Sequence, residues 1–487
     1  MSPAQATADD LVVCVDAGGT KTQAVVASRG EGQLWSYRTG SGNCATLGIE
    51  AAARVVLEAV QGALREAGYH CPGSKVDSKA GRRETTTIED KAGRRETTPI
   101  EDQGGHSAAV DLPSPPTSAP SVDEEEDEDS DKDDTAPQRA SPASAGRGPL
   151  FKAVWIGSAG ISSRTVSTRF RDEVRRLLAP YCDERTAVWI SNDAVLLSAA
   201  MLREPGVDRC VCLIAGTGSA GFSFRRSDGE AGQEGGELGE VPGIETVSRA
   251  GGWGYVLGDH GSGWRISLAA VQLVLRRYEE RRSARRDGAA TETMLERRVC
   301  AALGVSSPEE LIAATYVDRS GEWSGDGDAG SGFYAAEDAR KRWMAGATQA
   351  VFSAAFGGPS LEGSNSSSSS FNKGGEDRHE DEDDYETSRA LAREVLDEAI
   401  DDLVALLERL TVDDDGEERT AARADAVPWL MVLGGGLWTE GRFVEMLVSA
   451  WSARRGSGGG RRALGRVRVV REPALEAGLY LRTRFLL

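Results

Sequence analysis

The sequence predicts an α/β protein made of two similar halves that face a cleft. Three observations lead to this prediction. Short apolar runs typical of strands alternate along the chain with segments of helical periodicity. A strand, a glycine turn and a second strand occur at residues 11–28 and again at residues 209–226. Each of these two hairpins opens a stretch of further strands and helices, which indicates an approximate internal duplication.

The two halves are predicted to span residues 9–205 and 206–487. In the first, the elements expected after the hairpin are a helix at 50–67, a strand at 153–160, a helix at 168–178, and a strand within 187–202 that breaks into a helix at Asn192 and Asp193. In the second, they are helices at 264–278 and 388–410, a strand at 429–435 and a helix at 439–450. Each half is therefore expected to form one α/β lobe.

Two segments, residues 71–149 and 357–385, are predicted to be disordered insertions in surface loops. The first contains a tandem 12-residue duplication and a Pro/Ser stretch, and the second contains a serine run. Each also carries an acidic tract, at 123–134 and at 376–386. Low hydrophobicity with high charge cannot offset the entropy lost on ordering. The two tracts account for most of the formal charge of −20.

The composition excludes some classes of protein. Binding to nucleic acid or to an anionic membrane needs clustered basic residues, which an acidic chain lacks. The seven cysteines form no CxxC pair and have no histidine partner at zinc spacing, a pattern that fits a reducing compartment. The first apolar run, Leu11 to Val15, is too short for a signal peptide, and no run could span a bilayer. The sequence therefore predicts a cytosolic protein with no nucleic-acid or membrane partner.

The glycines of the second hairpin, Gly216, Gly218 and Gly221, form a G-x-G-x-x-G pattern. A dinucleotide site would require a helix directly after them. The alternating residues 222–224 instead indicate a strand, and the chain contains no Walker A motif. The pattern therefore favours a phosphate-binding β-hairpin, in which small residues let backbone N–H groups approach a triphosphate.

The first hairpin has the same character, with Gly18, Gly19 and Thr20 in its turn and Asp16 just before it. Hard cations prefer carboxylate and water oxygens, so Asp16 is predicted to hold Mg²⁺ through water. Lys21, directly after the turn, is a further candidate phosphate contact. Two such hairpins at the heads of matching halves predict an ATP site between them.

Five motifs occur in order: DAGGTKT, NDA, AGTGSAG, RAGGWGYVLGDHGSGW and VLGGGLW. Together they resemble the N-acetylglucosamine kinase branch of the BadF/BadG/BcrA/BcrD ATPase family. The resemblance implies a two-lobed actin-like ATPase fold with ribonuclease H-like halves. It also implies an ATP site formed by Gly19, Thr20, Lys21, Gly216, Thr217, Gly218, Ser219, Ala354, Gly434 and Gly435. The sugar contacts that it implies are Asn43, Asp193, Gly252, Trp253, Gly254 and Asp259.

Each implied sugar contact has a structural alternative. Asn43 could hold a turn, Trp253 could belong to the core, and Asp193 and Asp259 could be helix N-caps. The family carries Gly-Asp-Glu-Gly where this chain has His260 in place of the glutamate. Since an imidazole cannot replace a carboxylate that accepts hydrogen bonds from sugar hydroxyls, the identity of the sugar stays open, unless His260 lies just outside the site.

The predicted reaction is transfer of the ATP γ-phosphate to a sugar hydroxyl, with Asp193 as general base and N-acetylglucosamine as the first-choice substrate. Three alternatives remain. A glucosamine kinase would share every motif, a reductase-activating ATPase would need cysteines at a dimer interface for an iron–sulfur cluster, and an actin-like sensor would bind ATP without turnover. The sequence leaves the oligomeric state open, a homodimer included.

Overall fold

The computed structural model describes residues 11–19, 21–30, 33–69, 71, 150–161, 163–227, 241, 243–283, 291–317, 332–357, 375–411, 429–456 and 464–487. Most of both predicted insertions, residues 72–149 and 358–374, lies outside the described residues. Within the parts of the chain that the structure describes, no helix combines the length and the apolar character that a membrane span requires.

The first half contains a five-stranded sheet. Its elements are β1 (Leu11–Ala17), β2 (Thr22–Ser28), β3 (Leu34–Thr39), α1 (Cys44–Leu47), α2 (Ile49–Glu66), β4 (Phe151–Ser158), α3 (Arg164–Leu178), β5 (Ala187–Asn192), a 3₁₀ helix (Asp193–Ser198) and α4 (Ala199–Arg203). The strand order is β3-β2-β1-β4-β5. Strands β1, β4 and β5 are parallel, while β2 and β3 are antiparallel to their neighbours. The nearly unbroken apolar run in β1 is typical of a central strand covered on both faces.

The second half repeats this design. Its elements are β6 (Arg209–Ala215), β7 (Ser219–Arg226), β8 (Ile244–Gly251), α5 (Gly254–Leu257), α6 (Gly263–Ser283), α7 (Met294–Ala302), α8 (Pro308–Thr315), α9 (Gly332–Ala345), α10 (Thr348–Phe356), α11 (Gly375–Leu410), β9 (Trp429–Gly434), a 3₁₀ helix (Gly436–Thr439), α12 (Gly441–Gly456), β10 (Leu464–Val470) and α13 (Pro473–Phe485). The strand order is β8-β7-β6-β9-β10, in which each strand corresponds to one strand of the first sheet.

The matching strand orders confirm the predicted fold class. Both halves have the antiparallel hairpin followed by parallel strands that defines the ribonuclease H-like half of an actin-like ATPase. A helical layer covers the outer face of each sheet. One core cluster joins the halves, since it includes Cys14 of β1, Cys212 of β6, Leu196 of the first 3₁₀ helix and Leu481 of α13, all fully buried.

Helix α13 lies on the sheet of the first half, although it belongs to the predicted C-terminal lobe. Gly478 permits this close packing, because a Cβ atom there would already be 3.3 Å from a methyl group of Val25. Arg29 Nε also donates a hydrogen bond to the carbonyl oxygen of Leu486 at 2.8 Å. The division of the chain between residues 205 and 206 stays a prediction. Helix α13 follows this boundary in sequence but packs on the half that precedes it.

The second predicted insertion differs from the structure at its C-terminal end. Helix α11 begins at Gly375 and runs through the acidic tract, which was predicted to lie in a disordered segment. Asp384 accepts a hydrogen bond from Met294 N at 2.8 Å and pairs with Arg297 at 2.7 Å. Asp384 of this tract therefore binds the N-terminal end of α7. Composition alone does not reveal such a contact.

Candidate functional site

Three parallel strands of the first sheet end side by side at one edge. The register pairs Asp16 of β1 with Gly157 of β4, and Ser158 of β4 with Asn192 of β5. Because carboxyl ends of parallel strands meet at the same edge, the residue after β5, Asp193, comes close to Asp16. The structure thus brings the predicted metal residue and the predicted base into one site.

Gly157 lets the chain after β5 approach the middle strand. A Cβ atom at Gly157 would lie 3.1 Å from the Cα atom of Asp193 and 2.6 Å from the side chain of Leu196. Real Cβ atoms essentially never approach closer than 3.0 Å, so a larger residue would push the 3₁₀ helix outward. A small residue at the end of β4 is therefore a requirement of the carboxylate pair.

The pKa values of both carboxylates are raised, chiefly by desolvation. Burial raises the pKa of Asp16 to about 7, the charge of Asp193 contributes to this rise, and Lys21 opposes it. Burial also raises the pKa of Asp193, against the lowering effect of backbone hydrogen bonds. Two half-buried neighbouring carboxylates at neutral pH favour binding of either a proton or a cation. This hard oxygen donor set fits Mg²⁺, which is usually held by one or two carboxylates together with substrate phosphates.

The N-cap alternative for Asp193 is not needed to explain the start of the 3₁₀ helix. Asn192 is its N-cap residue, with Oδ1 accepting a hydrogen bond from Ala194 N at 3.0 Å. Asn192 Nδ2 donates in turn to Ile161 O at 3.1 Å, which fixes the end of β5. Asp193 Oδ1 also accepts from Ala194 N at 3.0 Å, so one of its oxygens is oriented by the backbone.

Asn43 does hold a turn, as its structural alternative predicted. Its side chain accepts a hydrogen bond from Ala45 N at 2.9 Å and thereby caps α1. Gly160 packs against this side chain with a φ of +87°, and a Cβ atom there would be 2.6 Å from Asn43 Oδ1. A Cβ atom at Gly19 would lie 3.9 Å from Asn43 Nδ2. The amide thus lies between the first hairpin and the loop after β4.

The first hairpin turn is closed by one backbone hydrogen bond, from Gly18 N to Lys21 O at 3.0 Å. Gly42 N donates to Gly18 O at 3.1 Å and so attaches the loop that carries Asn43. Thr20 lies outside the described residues, and its predicted contact with ATP stays a prediction. The described part of this turn has the short, small-residue backbone that a phosphate site requires.

The glycine turn of the second hairpin leads into strand β7 rather than into a helix. This rules out the dinucleotide arrangement. Gly216 N donates to Gly218 O at 2.9 Å, and Gly263 N, at the start of α6, donates to Gly216 O at 2.8 Å. The loop after β9 lies beside this turn, since a Cβ atom at Gly216 would be 3.7 Å from Gly436 N. The two predicted glycine segments of the second half are therefore neighbours.

Gly435 holds the loop after β9 in a conformation that side chains rarely adopt. Its φ is +103°, and a Cβ atom there would be 2.4 Å from the carbonyl oxygen of Ala215. The third predicted part of the nucleotide pocket, Ala354, is fully buried within α10 in the core of the second half. Ala354 therefore presents no surface of its own, and its predicted contact with the nucleotide stays a prediction.

Asp259 lies against the second hairpin, and its N-cap alternative is wrong. Its Oδ1 accepts from Ser219 N at 3.2 Å and its Oδ2 from Lys341 Nζ at 2.7 Å, while only 4% of the residue is exposed. At the start of α6 it is Ser262 Oγ that accepts from Arg265 N, at 3.4 Å. The contacts described for Asp259 join it to the hairpin and to α9, not to Asn43 or Asp193.

Trp253 is not a core residue, since 59% of it is exposed. Its neighbour Tyr255 packs instead, with ring centroids 4.7 Å from Trp264. Gly252 and Gly254 on either side of Trp253 have φ values of +70° and +79°. These left-handed glycines turn the chain sharply at the end of β8 and leave the indole exposed to solvent at the edge that carries the second hairpin.

The side chain of His260 points toward α11, with Nδ1 3.7 Å from Asp402 Oδ2. Its backbone oxygen accepts a hydrogen bond from Ser219 Oγ at 2.6 Å. The residue at this position therefore supports the second hairpin through its main chain, whichever side chain it carries. Lys341, which sequence reasoning missed, completes the same group of contacts, and no local motif marks it.

Substitution of Gly218 by valine should raise the KM for ATP while the protein still folds. A Cβ atom at Gly218 would lie 2.9–3.1 Å from the Asp259 carboxylate, which would have to move away from Ser219 N. Steady-state kinetics at saturating sugar would measure the change. Gly216→Ala should have a smaller effect, because its nearest neighbour, Gly436 N, would be 3.7 Å away. An unchanged KM for Gly218→Val would remove this hairpin from the nucleotide site.

The sequence of this chain is similar to a known protein family and to a kinase of that kind. Residues 13–238 match the model of the BadF/BadG/BcrA/BcrD ATPase family. An N-acetylmuramic acid/N-acetylglucosamine kinase of Clostridium acetobutylicum is 28% identical over 170 residues, which cover 35% of this chain and 44% of that protein. The match thus spans less than half of the relative's length.

Three solved structures are similar over almost the whole chain. Candidate N-acetylglucosamine kinases from Chromobacterium violaceum and Porphyromonas gingivalis are 17% and 16% identical, with TM-scores of 0.45 and 0.46; each comparison covers 97% of this chain and 99% of the other. A ROK family glucokinase from Streptomyces griseus is 16% identical with a TM-score of 0.39, over 97% of this chain and 98% of the other.

All three TM-scores lie below 0.5, so the fold assignment rests on the strand order of the two sheets. The match to the family model covers most of β1, the first hairpin turn, Asp193 and the second hairpin. The chain is thus similar to the BadF/BadG/BcrA/BcrD ATPase family over residues 13–238, a little less than half of its length.

Proposed function

We propose that the chain is an ATP-dependent amino-sugar kinase that phosphorylates the 6-hydroxyl of N-acetylglucosamine. The observation that supports this most strongly is the pair of half-buried carboxylates, Asp16 and Asp193, at the edge of the first sheet, both with raised pKa values. A glycine hairpin in each half accompanies the pair. The similarity to the N-acetylmuramic acid/N-acetylglucosamine kinase of C. acetobutylicum supports the choice of substrate.

In this proposal Asp193 is the general base. Phosphoryl transfer needs alignment, charge neutralisation and exclusion of water more than covalent help from the protein. The carboxylate of Asp193 would accept the proton of the attacking hydroxyl, and burial raises its pKa toward the range in which a base works best near neutral pH. Its backbone hydrogen bond with Ala194 N keeps one oxygen fixed and leaves the other for the substrate.

The nucleotide would lie between the hairpins. Backbone N–H groups of Gly19, Thr20, Lys21 and residues 216–219 would contact the phosphates, and the loop at Gly434 and Gly435 would lie near the adenosine. Asp16 would hold Mg²⁺ through water, and the ion, when bound, neutralises charge on the phosphates. Asn43 and Asp193 would contact the sugar from the first half, and Gly252, Trp253 and Gly254 from the second. Asp259, whose two oxygens accept from Ser219 N and Lys341 Nζ, would act on the sugar only through the second hairpin.

Burial of six of the seven cysteines disfavours the reductase-activating alternative, and the seventh, Cys182, is half-buried. Cys14, Cys210 and Cys212 are fully buried in β1 and β6, where they cannot meet a partner subunit at a dimer interface. Among the described residues, no group of three or more His, Cys, Asp or Glu side chains could hold a metal cluster. An iron assay on purified protein would test the same point directly.

A panel of acceptors tests the proposal. ADP release should be measured with N-acetylglucosamine, N-acetylmuramic acid, glucosamine, N-acetylmannosamine, glucose and no sugar. The proposal expects N-acetylglucosamine to give the highest kcat/KM and the sugar-free reaction to be slow, because closure of the lobes excludes water. Preference for glucosamine would assign the second candidate activity. Equal turnover with and without every sugar would contradict the kinase assignment and favour an ATPase or sensor.

A further inference from the structure

Lys341 lies on α9, 82 positions after Asp259 and outside the part of the chain that matches the family model. Its Nζ donates to Asp259 Oδ2 at 2.7 Å, and 19% of its side chain is exposed. The ammonium also lies 5.8 Å from the centroid of the Tyr255 ring. Two contacts from the segment between β8 and α6, one from α5 and one from the loop after it, therefore hold one cation of α9 in place.

Asp259 in turn contacts the second hairpin and fixes its position. Its other oxygen accepts from Ser219 N, and the carboxylate is close enough to Gly218 that no Cβ atom would fit between them. The backbone of Asp259 has a φ of +54°, the one non-glycine residue in the described chain with a positive φ. A strained backbone position is retained when the surrounding contacts require it, and here they hold a carboxylate against the hairpin.

This arrangement carries an electrostatic cost for a phosphate site. A buried carboxylate next to the hairpin would repel the phosphates of ATP unless a cation balanced its charge. The described ion pairs of Asp259 include one cation, Lys341. Charge repulsion inside a protein is much stronger than in water, so the state of this one pair affects phosphate affinity.

We infer that Lys341 is a positioning residue of the nucleotide site, which neutralises Asp259 so that the second hairpin can accept the phosphates of ATP. The inference rests on the proposed function, since it needs ATP at this hairpin. The ammonium lies over the Tyr255 ring, and its charge acts through Asp259 and not through contact with the reacting atoms.

Equilibrium binding of ATP, ADP and AMP to the full chain without sugar tests the inference. Lys341→Met keeps the stem and removes the charge, and it should weaken ATP binding by about tenfold, ADP binding by less and AMP binding least, because the repulsion grows with phosphate charge. Lys341→Arg keeps the charge and should bind ATP nearly as the unsubstituted chain does. Lys152→Met, at an exposed lysine of β4, is the matched control and should change nothing.

The double variant Asp259→Asn/Lys341→Met separates charge from structure. The amide oxygen of the asparagine at position 259 can still accept a hydrogen bond from Ser219 N, and no uncompensated carboxylate remains. The affinity for ATP should therefore recover toward that of the unsubstituted chain. The double variant also tests the inference if Lys341→Met alone does not fold, because it removes both charges of the pair together. Equal weakening for all three nucleotides, no weakening, or no recovery in the double variant would overturn the inference. Absence of ATP binding to the unsubstituted chain would overturn the proposed function and the inference with it.

Discussion

Asp193→Asn is expected to lower kcat by about 10²–10⁴-fold, the usual contribution of a positioned general base. The amide is nearly isosteric with the carboxylate and can accept the hydrogen bond from Ala194 N, so the 3₁₀ helix should still form. The cap itself is provided by Asn192, which the substitution leaves intact. Loss of rate would therefore report the chemistry of the carboxylate and not a change of fold.

Sugar-dependent ADP release and nucleotide binding should be measured on the same preparation. The matched control is Asp183→Asn, because Asp183 also accepts backbone hydrogen bonds, from Arg185 N at 2.7 Å and Thr186 N at 3.2 Å, in an exposed turn outside the site. We expect the control to keep its rate. Turnover of Asp193→Asn close to that of the control would refute the assignment of Asp193 as base, and would leave it as a residue that binds sugar.

Asp16→Asn should have opposite effects on activity and on stability. In the folded protein burial raises the pKa of Asp16 from 3.8 to about 7, so between these values the unfolded chain loses its proton first. Stability falls with rising pH wherever the folded state holds more protons than the unfolded state. The contribution of Asp16 to the free energy of unfolding is therefore most favourable at or below about pH 4. It decreases as the pH rises to about 7 and stays at its lowest value above that.

The asparagine removes this titration. The free energy of unfolding of Asp16→Asn, relative to the unsubstituted chain, should increase between pH 5 and pH 8 by an amount of the order of 2 kcal/mol, as measured by denaturant unfolding without ligands. Turnover should fall sharply at the same time, because the predicted Mg²⁺ site loses its carboxylate. A stability difference that does not change with pH would contradict the raised pKa of Asp16.

The sequence predicted the parts of the fold whose signals are local. The two hairpins, β4, β5 and β9 consist of apolar runs next to glycines or polar turns, and both periodicity and turn chemistry act over a few residues. Strands β3, β8 and β10 were missed because they carry many polar residues at or near sheet edges. In β10, for example, Arg468 pairs with Glu204 at 2.9 Å and with Glu476 at 2.8 Å, contacts formed only in the folded protein.

The candidate site shows the same division. Asp16 and Asp193 could be predicted because each follows or ends a recognisable strand within a short motif. The ion pair of Asp259 with Lys341 could not, since it joins a loop to a helix 82 positions away and leaves no periodic trace. The exposure of Trp253 was equally hidden, because a lone tryptophan in a glycine-rich segment has no periodicity from which burial could be judged.

The packing of α13 on β1 and β2 has a consequence for folding during synthesis. Arg29 and Leu486, which are hydrogen bonded, are 457 positions apart. At about 5–20 residues per second, the ribosome would need roughly 20–90 s to make the helix after it has made these strands. Throughout that interval one apolar face of the first hairpin has no final partner, which exposes it to aggregation and to chaperones. The first hairpin thus depends for its completion on a helix made more than 400 residues later.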